Sequence, residues 1–376
     1  MTIHRGTCRT GQAHLGQVLC SIAPPDVLVA VAERGSPEER EAAITTLVET
    51  AALRAERDVV SSLARQLDVS VAELAFMAAP SAPSVGKRRT VYDTEHGSDL
   101  PGRKVRSEGD PPVADEAVNE AYDGSGATYD FYLDVFDRNS LDGEGMELVS
   151  SVHYRTDYDN AGWSPLRSQM IYGDGSGRIF KVGGLTKDIT VIGHELTHGV
   201  TQFTAGLVYH KQSGAVNESF SDVFGSLVKQ RSLGQTADQA DWLIGEGILG
   251  SALHGEALRS MKAPGTAHDL DRQPAHMDDF VDLPDDEEPA HDHGGVHINS
   301  GIPNRAFFLA ASAIGGNAWE KAGRIWYVAL TERLRPRSEF REAAEATVEA
   351  AGKLFGTGGD EQDKVRSAWR QVGVLA

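Results

Sequence analysis

Cysteine is almost absent: there are two in 376 residues, Cys8 and Cys20, both near the N-terminus. A disulfide framework is thereby excluded for nearly the whole chain. Positive charge is also scarce. Thirty-six Lys and Arg face 55 Asp and Glu, a net charge of −19, which argues against nucleic acid or an anionic membrane as partner. No apolar run approaches the ~20 residues of a membrane-spanning helix. The opening MTIHRGTCRTGQAHLGQVLCSIAPPDVL has no continuous apolar stretch followed by a small-residue cleavage site. The expectation is therefore no Sec-type signal peptide, with the protein cytoplasmic or exported by a non-classical route. The remaining composition, 40% hydrophobic and 24% charged, suits a soluble globular chain, expected to act as a monomer.

What is present divides into three textures. Residues 1–88 read as a small helical module and linker. In SPEEREAAITTLVETAALRAERDVV, Ser36 caps, Pro37 sits at the first helical position and Glu39 completes a capping box. Ile44, Leu47, Val48 and Ala51 then form one apolar stripe. PSAPSVGKRRT, residues 80–90, reads as an exposed linker open to proteolysis. Over 89–188, β-rich runs (ATYDFYLDVF, LVSSVHYR, RSQMIYGDGSGRIFKV) alternate with Gly, Asp and Asn turns. Helical patterns dominate 189–376, broken by an acidic, Pro-rich loop at 264–293 whose charges and histidines read as solvated bystanders. The class expected is α+β.

The chemistry starts at GHELTHGVTQ, residues 193–202. On a helix His194 and His198 lie one turn apart on one face, with Glu195 beside them, the arrangement of two zinc ligands and an adjacent carboxylate. Downstream, GAVNESFSD places Glu218 twenty residues after His198, a spacing that a helix, a short turn and an antiparallel helix would close. Two His and one Glu leave the fourth tetrahedral position to water, as in a catalytic zinc site. Asp222, four residues after Glu218, is placed to accept the free N–H of one ligand histidine, and Asn217 to support the other.

GHELTH, GAVNESFSD, ALRSM and GGVHINSGIPN, in that order, resemble the thermolysin family of neutral zinc metalloproteases from about residue 91 to the end. The N-terminal module with CSIAPPDVL is similar to the short prosegment of the protealysin branch. The resemblance implies a β-rich half and a helical half with the active-site cleft between them. It implies one catalytic Zn2+, peptide or protein substrates, and a prosegment that inhibits until it is cut in the linker.

By chemistry and by resemblance Glu195 is the general base. His297 matches the histidine that stabilises the oxyanion, Asp292 the carboxylate that orients it, Tyr209 the tyrosine that helps, and Arg259 the arginine that grips a substrate carbonyl. In DNAGW, Asn160 and Ala161 match the edge strand that pairs with bound peptide. Val191, Ile244 and Leu258 match the pocket for the residue after the cut, implying cleavage before Leu, Ile, Phe or Val.

The family's paired calcium site is expected to be lost, although calcium in the acidic loop stays open. Thr190, Lys229, Leu243 and Gly247 stand where acids are expected, and Lys229 would pair Asp241 or Glu246. Cys20 is either a buried structural cysteine or a thiolate on the zinc. Rival readings are an aminopeptidase and an inactive peptide-binding scaffold.

Overall fold

The computed structural model describes residues 20–66 (side chains to 55), 86–286 and 288–376. The linker expected at 80–90 lies largely outside them. The fold is mixed α+β, sheet-rich in its first half and helical in its second.

Six strands form one sheet in the order β1-β5-β6-β4-β2-β3. They are β1 (Cys20–Ser21), β2 (Arg89–Asp93), β3 (Arg103–Ser107), β4 (Leu148–Val152), β5 (Ala161–Ser164) and β6 (Gln169–Tyr172). β2, β4 and β6 run parallel, while β5 and β3 are antiparallel to their neighbours. β1 comes from the N-terminal module and pairs antiparallel with β5, Cys20 opposite Trp163 and Ser21 opposite Gly162. An edge that would otherwise offer bare backbone groups is thereby covered by the chain's own start.

That module is α1 (Pro25–Arg34) and α2 (Pro37–Gln66). The capping box forms as expected: Ser36 N–H donates to Glu39 Oε2 at 2.8 Å. The apolar stripe packs only through Leu47, which lies against the core. Ile44 and Val48 are 50% and 60% exposed, while Ala42, Ala43, Thr46 and Thr50 are buried. The small face wins because it comes close to backbone and finds polar partners: Asp159 N–H donates to Thr46 Oγ1, and Thr50 Oγ1 lies 2.9 Å from the Tyr158 hydroxyl.

A second correction concerns ATYDFYLDVF, read above as a strand. It lies inside helix α3 (Glu116–Phe136), capped by Asp115, whose carboxylate accepts from Ala117 and Val118 N–H. Thr128, Tyr129, Phe131, Tyr132, Val135 and Phe136 are its buried side chains in that stretch, and they follow a period near 3.6, which overrides their β propensity.

The helical half begins with α4 (Ile189–Gln202) and α5 (Lys211–Leu233), an antiparallel pair at the centre of the molecule. α6 (Asp292–Asn299), α7 (Gly301–Ile314), α8 (Ala322–Val328), α9 (Phe340–Phe355) and α10 (Asp360–Gln371) follow. Every residue of α5 from Ser213 to Val228 is buried, as befits a helix wrapped on all sides.

Candidate metal centre and substrate cleft

Two glycines bring α4 and α5 unusually close. A Cβ on Gly225 would stand 2.6 Å from Thr190 O and 3.0 Å from His194 N, and one on Gly193 would stand 3.0 Å from Gly225 Cα. This crossing lets Glu218, one helix away, meet the two histidines one turn apart on α4. Glu218 Oε2 lies 3.4 Å from His194 Nε2 and Oε1 lies 3.3 Å from His198 Nε2, with all three residues buried.

The donor set fits a divalent zinc. His194 Nδ1 stands 2.8 Å from Asp222 Oδ1, and a carboxylate can only accept, so Nδ1 carries the proton. His198 Nδ1 likewise faces Asn217 Oδ1 at 2.9 Å. Both Nε2 atoms are then left facing each other 3.0 Å apart, an arrangement that a positive charge shared between them makes favourable. Glu218 Oε2 has no hydrogen-bond partner, another ligand atom pointing at the same spot. Burial pushes His194 down to about 4, keeping it neutral as a metal ligand must be. Cys20 is not one of this group; it is buried against Tyr209 and Val296.

Around this centre stand the other expected residues. Trp163 N–H donates to Glu195 Oε2 at 2.9 Å, while Glu195 Oε1 is buried with no partner. Burial raises the Glu195 carboxyl to about 8. His297 Nδ1 is held by Asp292 Oδ1 at 2.6 Å, and its Nε2 lies 3.1 Å from the Tyr209 hydroxyl, which also bonds Glu218 Oε1. Burial opposes charge on His297, yet Glu218 and Asp292 outweigh it and hold it up to about 9.

The irregular first turn of α6 makes the Asp292 contact possible. Asp292, His293, Gly294 and Gly295 all take positive φ, folding Asp292 back beneath His297. At 294 and 295 a Cβ would also strike Lys211 and Asn299, so glycine is required twice over. Arg259 Nε and Nη2 clasp both oxygens of Asp222 at 2.9 and 2.8 Å, and Asn304 Nδ2 completes that carboxylate's shell.

The cleft is occupied by the chain itself. Ser21 O lies 3.0 Å from His297 Nε2, Ile22 N–H donates to Ala161 O at 3.0 Å, Arg259 Nη1 donates to Ile22 O at 3.2 Å, and Ala23 N–H donates to Asn160 Oδ1 at 3.0 Å. Val191, Ile244 and Leu258 are buried in the same apolar cluster as Ile22. α1 is anchored beyond by Asp26, which accepts from Arg272 at 2.9 Å.

Sequence reasoning missed Trp163, Asn304 and the three residues 21–23. A buried tryptophan or asparagine carries no local signal, and nothing in SIA announces where it will dock. In the expected calcium region, Lys229 Nζ lies 2.7 Å from Asp241 and 2.8 Å from Glu246.

Two family models match: residues 79–202 the thermolysin metallopeptidase catalytic domain, and residues 205–374 its alpha-helical domain. The chain is 45% identical over 362 residues to an extracellular metalloprotease of Pectobacterium carotovorum subsp. carotovorum, covering 95% of this chain and 96% of that one. It is 44% identical to Protease PrtS of a Photorhabdus strain, over 94% and 91% of the two chains. The solved precursor of protealysin, a metalloproteinase from Serratia proteamaculans, superposes with a TM-score of 0.79 at 46% identity, covering 94% of this chain and 99% of that one. With a His194, His198 and Glu218 centre suited to zinc and an N-terminal module lying across it, the chain belongs to the thermolysin family of zinc metallopeptidases, in its protealysin-type branch.

Proposed function

We propose that this zymogen of a zinc metallopeptidase is an endopeptidase that cuts before bulky apolar residues, and that residues 20–34 are its inhibitor. One observation carries the reading: the cleft holds an internal segment of polypeptide, residues 20–23, whose chain continues in both directions. An aminopeptidase site must close around a free N-terminus, and this one passes the chain through. β-Pairing with β5 reads backbone rather than side chain, as a protein-degrading enzyme needs.

Zinc held by His194, His198 and Glu218 supplies Lewis acidity, acidifying water and polarising a carbonyl. The side chains do the rest. Glu195 Oε1 accepts a proton from the attacking water and passes it to the departing nitrogen, while the Trp163 N–H keeps Oε2 in place. His297 and Tyr209 donate to the oxygen that gains negative charge, with Asp292 aiming the imidazole. Arg259, Asn160 and Ala161 hold the backbone beyond the cut, and Val191, Ile244 and Leu258 receive its first side chain. Asp222 and Asn217 fix the ligand tautomers.

The reading includes a monomer without the paired calcium site, since the Lys229 ammonium fills that acidic corner. Similarity to an extracellular metalloprotease favours action on peptides or proteins outside the cell.

The test is an internally quenched peptide blocked at both ends. After limited tryptic digestion to remove the inhibitory module, the zinc-loaded wild type cleaves it, whereas Glu195→Gln treated alike binds one zinc and loses at least about 10²–10⁴-fold in rate. A zinc-binding wild type that leaves the peptide whole even after that digestion would refute the endopeptidase and support a scaffold.

A further inference from the structure

The N-terminal strand does more than fill the cleft: its direction and register select one peptide bond. Three carbonyl or amide groups in succession are gripped by groups to which the proposed function assigns substrate contacts. Ile22 N–H reaches Ala161 O, Ile22 O accepts from Arg259, and Ala23 N–H reaches Asn160 Oδ1. The carbonyl directly before them, that of Ser21, lies 3.0 Å from His297 Nε2, and the same nitrogen is 3.5 Å from Glu218 Oε2. The Ile22 carbonyl points elsewhere, to a guanidinium clamped on Asp222. Of the bonds between residues 20 and 23, Ser21–Ile22 is the one whose carbonyl meets His297 beside the metal ligand Glu218, with an apolar side chain on its C-terminal side.

We propose that the zymogen hydrolyses its own Ser21–Ile22 bond, so that the inhibitory strand is also an internal substrate; this rests on the peptidase reading of the site. One water is consumed. Its oxygen bonds to the Ser21 carbonyl carbon, the C–N bond to Ile22 breaks, and both of the water's protons pass in turn by way of Glu195 to the Ile22 nitrogen. The products are a Ser21 carboxylate and an Ile22 ammonium. Residues 1–21 are then released, while the new N-terminus stays with α1, which remains tied to the body by Asp26 and Arg272. The cut comes before removal of the module and does not require it.

The experiment uses the full-length chain. Zinc-loaded wild type is followed by intact mass and N-terminal sequencing at several protein concentrations, with Glu195→Gln alongside. The blocked quenched peptide is assayed on the same samples before and after limited tryptic digestion. The expected result is a first new chain beginning at Ile22, formed at a rate independent of concentration and absent in Glu195→Gln. Ile22→Asp, which offers a carboxylate to the apolar pocket, slows that cut at least about 100-fold.

A second readout needs neither zinc nor activity. In a metal-free Cys8→Ser, Glu195→Gln chain, Cys20 is 5% exposed and reacts with iodoacetamide at least about tenfold more slowly than in urea; adding Ile22→Asp removes the protection. Peptide hydrolysis with an intact Ser21–Ile22 bond, or a first cut elsewhere, overturns this inference and leaves the peptidase standing. An unprotected Cys20 overturns it too, because the strand is then not in register. Absence of any hydrolysis after trypsin overturns the peptidase reading and this one together.

Discussion

Removing the Asp222 carboxylate should damage the molecule in two separable ways. Asp222 is fully buried and accepts four hydrogen bonds: from His194 Nδ1 at 2.8 Å, Arg259 Nη2 at 2.8 Å, Arg259 Nε at 2.9 Å and Asn304 Nδ2 at 2.8 Å. Arg259 is itself only 2% exposed. Asp222→Ala therefore strands a guanidinium in the interior, which costs about 3–5 kcal/mol of stability. In the double variant with Arg259→Met no charge is stranded, and at least about 2 kcal/mol should return as coupling energy.

Zinc affinity behaves differently. It falls about 10–100-fold in Asp222→Ala because His194 loses the acceptor that fixes its tautomer, and the double variant does not recover it. The assays are urea unfolding of the metal-stripped full-length chain in a Glu195→Gln background, and zinc competition against a chelator. A loss below about 1 kcal/mol for Asp222→Ala, or a double variant equal to the sum of the singles, would refute the buried-pair argument. Zinc affinity restored in the double would refute the tautomer argument.

Three further outcomes are expected. His153 sits between Asp174 at 2.7 Å and Asp115 at 2.9 Å, whose carboxylates raise it to about 9 against the opposing effect of partial burial. Its folded value exceeds the ordinary 6.5, so its contribution is complete below pH 6.5 and fades as pH rises toward 9. After allowance for partial exposure this amounts to about 1–2 kcal/mol, and His153→Phe should flatten the stability-versus-pH curve in that window. Gly225→Ala forces a methyl against Thr190 O and must part α4 from α5; thermal melts should record a loss of about 1–3 kcal/mol, and zinc competition a weaker site. Millimolar calcium should leave the melting temperature of the wild type unmoved, while Lys229→Ala lowers stability by about 1 kcal/mol through the loss of two partly exposed ion pairs.

Local spacing is enough to set some features of this protein. Two histidines at i and i+4 share a helix face wherever the helix lies, so His194, His198 and the neighbouring Glu195 were legible from six letters. Ser36 and Glu39 cap the start of α2 by the same local logic. Glu218 and Asp222 needed one more assumption, a turn between two helices. Beyond that distance the sequence is silent, since a contact across a hundred residues leaves no period to read.

Only the tertiary structure decided that ATYDFYLDVF is helix, because burial on a 3.6 period outweighs the strand preference of its aromatics and β-branched residues. It also decided which face of α2 is inside. Ile44 and Val48 would win on hydrophobicity, but the face that meets residues 158–159 carries Thr46 and Thr50, whose hydroxyls find partners on Asp159 and Tyr158, with Leu53 packed beside them. And it alone placed Ser21, Ile22 and Ala23 in the cleft, since backbone hydrogen bonds to β5 and Arg259 depend on geometry and hardly at all on the letters that make them.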